Sequence, residues 1–123
     1  MSHKSPGKAV IVNNVSFKWL RERKGSDKDT ADLGNALQRL RFKTEIHKDL
    51  NRVKLQKVFT DVSTEDHSDC DCLIFCIMTH GDSGGKIHCT DGSLHLDDLM
   101  QDFKGDRCKS LAGKPKVFVI QVK

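Results

Sequence analysis

Six apolar residues in unbroken succession, Leu73 to Met78, constrain this chain more than anything else in it. A run this short and this uniformly apolar reads as a strand covered on both faces, the situation of a strand inside a parallel sheet. It stops at Thr79, His80 and Gly81, where polarity returns abruptly. In open parallel sheets, ligands and chemistry gather at the carboxyl ends of strands. His80 and Gly81 therefore fall where a site is expected. The plainer alternative is a strand that ends at a surface histidine and a glycine turn.

The flanking sequence supplies the other layers. Residues 1–8 read as a short polar tail and residues 9–123 as a single domain. Ala9 to Val12 is a first strand, closed by the turn pair Asn13 and Asn14. Ser26 or Asp27 can cap a helix whose apolar face is Leu33, Ala36, Leu37 and Leu40, at i, i+3, i+4, i+7 spacing. Gly34 weakens that helix slightly. Phe42 to Ile46 alternates with period two, as a half-exposed strand does. Asn51 can cap a second helix with Leu55, Val58, Phe59 and Val62 on one face.

Beyond the central run, Ile87 to Thr90 with Asp91 and Gly92 reads as a small hairpin or extended loop. A third helix follows Ser93, carrying Leu96, Leu99, Met100 and Phe103. Residues 104–116 form a polar loop, and Val117 to Ile120 a last buried strand. The order β-α-β-α-β-hairpin-α-β implies parallel strands joined by right-handed crossovers, with helices on the sheet faces. A strand of Val117, Phe118, Val119 and Ile120 belongs inside a sheet rather than at its border. Its missing neighbours are expected from residues outside these 123 or from another chain. Left uncovered, such a border predicts poor solubility.

Length allows one hydrophobic core. The formal net charge is +4, its cations interspersed among 17 acidic residues, with 6% aromatics and no Tyr. A nucleic-acid surface would need clustered cations and interleaved aromatics. No apolar run approaches the ~18 residues of a membrane span, and the first eight residues hold no signal-peptide core. A cytoplasmic location is expected, with the five cysteines reduced.

Several constellations could carry chemistry. His67, Cys70, Cys72, Cys76 and His80 fall within 14 residues. Zinc ligands come as close pairs around a tight turn, whereas Cys72 and Cys76 belong to an apolar strand, where free cysteine packs as a small hydrophobe. No metal is expected. Gly81 to Ile87 follows a strand as a phosphate-binding loop would, but the spacing is short and Ile87 replaces the magnesium-binding hydroxyl. Ser83 sits in a literal G-x-S-x-G match, yet the helix a nucleophile elbow requires does not follow it.

The remaining constellation is the one several motifs share. Met78, Thr79, His80 and Gly81 followed by Gly84 resemble the large subunit of a caspase, and so do Gly105 to Cys108 followed by Gly113 to Gln121. Arg23, Gly25, Asp27, Asp29, Ala31 and Leu33 resemble that family's segment between first strand and first helix. Asp61 to Ser63 with Glu65 to His67 resembles the end of its second helix. The family signature is Q-A-C-[RQG]-G, with its histidine about 50 residues upstream; Gln121 fits the first position, and His80 lies 41 residues before it.

The resemblance implies a three-layer α/β/α fold with a mostly parallel sheet, incomplete on the small-subunit side. It implies aspartate-directed cysteine endopeptidase chemistry of the apoptotic type, without cofactor. His80 would be the catalytic histidine, and Gly81 would lend a backbone N–H to the oxyanion hole. Arg23 would grip the carboxylate of a substrate aspartate, and Gln121 would line the same pocket. After Gln121 the family continues with alanine and the nucleophilic cysteine, whereas this sequence has Val122 and Lys123. The expectation is a chain inactive alone, acting as a decoy or regulator by binding a caspase small subunit or a full-length caspase. The alternative is an active protease whose C-terminal part lies outside this sequence, cleaving protein substrates after Asp. The short tail resembles effector-type members more than initiators.

Overall fold

A computed structural model describes residues 5–14, 26–80, 85–103 and 108–122. Among these residues four strands form one parallel sheet: β1 (Ser5–Asn13), β2 (Lys43–Lys48), β3 (Cys70–Thr79) and β6 (Lys116–Val122), in the order β2-β1-β3-β6. Between β3 and β6, strands β4 (Lys86–Cys89) and β5 (Gly92–His95) pair antiparallel as a hairpin. Among the described residues three α-helices accompany the sheet: α1 (Ser26–Arg39), α2 (Arg52–Thr64) and the short α3 (Leu96–Met100).

The period-two alternation of the central strands divides the core in two. Val10, Val12, Leu73, Phe75 and Ile77 face α2 and α3, together with Leu55, Phe59, Phe103 and Leu111. Ala9, Ile11, Cys76 and Met78 face α1, where Leu37 meets them. β1 and β3 are thus covered on both sides, the three-layer arrangement their uninterrupted apolar runs require. At the centre of the larger core, Phe75 stacks on Phe59 with ring centroids 4.3 Å apart and meets Phe103 edge-on at 5.8 Å.

Local signals set most boundaries. Asn51 caps α2, its side chain accepting the Lys54 N–H at 2.8 Å. Leu55, Phe59 and Val62 are buried beneath that helix. Leu40, expected on the apolar face of α1, is 64% exposed, because the helix ends at Arg39 and Arg41 turns the chain with φ 70°. Gly34 has a positive role: a Cβ there would lie 3.0 Å from Cδ1 of Ile46, so glycine lets α1 sit close on β2.

Two boundaries and the burial of one strand differ from the sequence reading. β1 begins at Ser5, inside the stretch read as polar tail. Gly7 pairs with Cys72 at φ +146°, where an added Cβ would lie 1.9 Å from the Cys72 carbonyl oxygen. Ser93 lies within β5 opposite His88, so α3 starts only at Leu96, and Phe103 belongs to a following 3-10 turn, Gln101–Phe103. The last strand is half buried. Phe118 and Ile120 pack on the larger core, while Val117 and Val119, on the α1 side, are 44% and 49% exposed. Among the described residues β6 has a neighbour only in β3.

Candidate active site

The parallel register decides what meets at the carboxyl edge of the sheet. Asn13 lies opposite Met78, and Met78 opposite Gln121. The Asn13–Asn14 and Thr79–His80 ends therefore emerge side by side. Gln121 lies one strand over from Met78 and two residues short of the level of His80, about 8 Å from His80 by strand geometry. The fold thus brings together His80 and Gln121, with His80 half-buried and Gln121 exposed. Arg23, Gly81 and the alternative nucleophile Ser83 lie outside the described residues. The stretch that follows Ser83 enters β4, not the helix a nucleophile elbow requires.

A buried polar knot sits directly beneath His80. Asn14 is fully buried. Its N–H donates to the Met78 carbonyl at 2.9 Å. Its Oδ1 accepts the Leu50 N–H at 2.9 Å, and its Nδ2 donates to the His88 carbonyl at 3.2 Å. Thr79, equally buried, donates its hydroxyl to that same carbonyl at 2.5 Å. The His88 N–H then donates to the carbonyl of His80 at 2.9 Å. Unpaired, such buried groups would each cost roughly 1–3 kcal/mol; here the bonds tie the ends of β1 and β3 to each other, to β4 and to Leu50. Sequence reasoning treated Asn13 and Asn14 only as a turn. The available signal was an amide, with both donor and acceptor, placed immediately after an apolar strand.

The hairpin carrying His88 is itself anchored. Asp91 Oδ1 accepts the Arg52 N–H at 2.9 Å, at the first turn of α2. The Thr90 N–H donates to the Leu50 carbonyl at 3.1 Å. Ile87 and Cys89 point into the larger core.

No described cysteine is poised as a nucleophile beside His80. Cys70 and Cys72 begin β3, at the opposite end of a ten-residue strand, some 20–30 Å from its carboxyl end. Cys72 Sγ lies 3.4 Å from the Pro6 carbonyl, and its thiol pKa is pushed up by burial first and by the Asp71 charge second. Burial likewise raises that of Cys76, on the α1 face. Cys89, wholly buried in β4, is pushed up to about 12, chiefly by burial and then by Asp91. Cys108 is buried in the larger core. A thiol held protonated in an apolar site is inert.

Among the described residues, no three His, Cys, Asp or Glu side chains come together as metal ligands. His67 is instead a buried structural residue. Its Nε2 lies 2.7 Å from the Val62 carbonyl at the end of α2, and its backbone N–H donates to Ser110 Oγ at 3.0 Å. No described helix is long and apolar enough to cross a membrane.

Fold and site together define a class: a three-layer α/β domain with a parallel sheet and a histidine at the carboxyl end of its central strand. The family model for the caspase domain matches residues 6–122. The chain is 36% identical to Caspase-7 of Gallus gallus over 98% of its own length and 40% of that protein's. It is 38% identical to Caspase-6 of Mus musculus, over 98% of this chain and 45% of that one. The crystal structure of Caspase-1 from Spodoptera frugiperda superposes with a TM-score of 0.95 at 36% identity, covering 98% of this chain and 49% of that one. This chain belongs to the caspase family. It spans about half or less of the length of these relatives.

Proposed function

We propose that this chain carries the histidine and carboxylate-pocket half of an aspartate-directed cysteine endopeptidase, and that these 123 residues alone do not hydrolyse peptides. The observation that carries the reading is the carboxyl edge of the sheet. His80 and Gln121 converge there, while the described thiols are remote or buried. In this reading His80 moves protons during acyl transfer. The Gly81 N–H faces the developing oxyanion, and Arg23 with Gln121 receives the substrate aspartate. With no sulfur placed to attack, the covalent step has no nucleophile.

The partner in this reading is a caspase small subunit or a full-length caspase. Strand addition along β6 would cover Val117 and Val119. It would also shelter the open apolar hollow lined by Met100, Phe103, Lys116 and Phe118. The chain would then act as a decoy or regulator. Purified chain is expected to leave a fluorogenic aspartyl peptide intact, and to lower the rate when titrated into an active caspase. Hydrolysis by the chain alone would overturn the first statement, and an unchanged rate across the titration the second.

A second reading is favoured by the 40–45% of the curated relatives' length that the chain spans: an active protease whose C-terminal part, with the remaining strands and the cysteine, lies outside these 123 residues. Mass spectrometry of the endogenous C-terminus separates the two. A species ending at Lys123 supports the decoy, and a longer one carrying a cysteine after Gln121 supports the protease.

A further inference from the structure

β3 ends at Thr79. The peptide of His88 reaches the next residue, its N–H donating to the His80 carbonyl at 2.9 Å. His88 is clamped from its other side as well. Its carbonyl accepts from Thr79 Oγ1 at 2.5 Å and from Asn14 Nδ2 at 3.2 Å, filling both lone-pair directions. Thr79 precedes His80 directly, and its branched side chain is stiff about χ1. Asn14 extends the same clamp to Met78 and to Leu50. Both side chains are fully buried, so their bonds form without competition from water.

We infer that Thr79 and Asn14 are positioning residues for His80, acting through the His88 peptide to set where the imidazole stands. The role in catalysis rests on the reading of His80 as the proton-handling residue. The placement itself does not. The bonds link the hairpin, the β2–α2 connection and the ends of β1 and β3 into one rigid corner. Such rigidity matters because a misplacement of about 1 Å in a catalytic group costs on the order of a hundredfold in rate.

The test uses the 123-residue chain, labelled with 15N throughout and with 13C at the histidine Cε1. Thr79→Val keeps the shape and removes the donated proton; Thr79→Ser keeps the proton. In Thr79→Val the His88 amide is expected to exchange with solvent at least tenfold faster, with the Phe75 amide unchanged. The His80 ring signal should move or split, while that of His47, on β2, stays. Thr79→Ser should restore both, which a purely steric role for Thr79 would not predict. Unchanged His88 exchange with an unmoved His80 ring in Thr79→Val would overturn the inference, as would failure of Thr79→Ser to restore them. Should Thr79→Val not fold, the wild-type chain decides. The His88 amide must exchange at least tenfold more slowly than that of Leu96, which bonds the Gly85 carbonyl at the hairpin's outer end; equal rates refute the clamp. None of these readouts involves hydrolysis, so loss of the caspase reading in the titration and loss of the clamp are separate outcomes.

Discussion

Replacing Gly7 with alanine tests where the sheet begins. At φ +146° the new Cβ would stand 1.9 Å from the Cys72 carbonyl oxygen and 2.9 Å from its carbon. Contacts under about 3 Å are not tolerated, so β1 and β3 must separate by roughly 1 Å at this pair. That stretches about two ladder hydrogen bonds beyond use, at roughly 1 kcal/mol each. The backbone conformation adds roughly 1–2 kcal/mol of strain for a residue bearing a Cβ. The sum is about 3–4 kcal/mol, or a fall in melting temperature of about 10–15 °C for a domain of this size. Gly113→Ala is the control: its φ is +74° but nothing lies within 4 Å of the added carbon, so strain alone should cost it about 1–2 kcal/mol. Urea titration of both variants isolates the steric part as their difference, expected at about 2 kcal/mol. If Gly7→Ala were no less stable than Gly113→Ala, the pairing of Gly7 with Cys72 would be refuted, and residues 1–8 would be the tail that their polarity suggests.

Phe75→Ala should cost about 3–5 kcal/mol in a denaturant titration, because the ring is fully buried among Phe59, Phe103 and Phe118; a loss below about 1 kcal/mol would mean the larger core is not packed around it. With its thiol pushed up to about 12, Cys89 should react with iodoacetamide at pH 8 on the order of a thousandfold more slowly than an ordinary thiol; peptide mapping that finds it modified as fast as a free thiol would contradict its burial. Ser68 holds the Asp66 carboxyl below its ordinary pKa, by its hydroxyl first and its backbone N–H second. The stability this bond contributes is present above the ordinary carboxylate pKa and lost as pH falls through the lowered value. Ser68→Ala should move the Asp66 titration upward in carbon-detected NMR, and an unmoved titration would remove the bond.

Much of the architecture is legible along the chain, because apolar spacing is a local property. The central strand from Leu73 to Met78, the faces of the second and third helices, the Asn51 cap and the alternation into three layers all follow from residues a few positions apart. So does the placement of His80 at a carboxyl edge. What the tertiary structure decided involves partners far away in sequence. Gly7 is confined by a carbonyl of β3. Asn14 finds its partners 36 and 74 residues on, at Leu50 and His88. Val117 and Val119 stay exposed on the α1 face of β6, which among the described residues pairs only with β3. Periodicity tells a side chain which face to take. Only the packed register tells it which backbone group will stand opposite, and that is where a glycine becomes obligatory and an asparagine becomes a clamp.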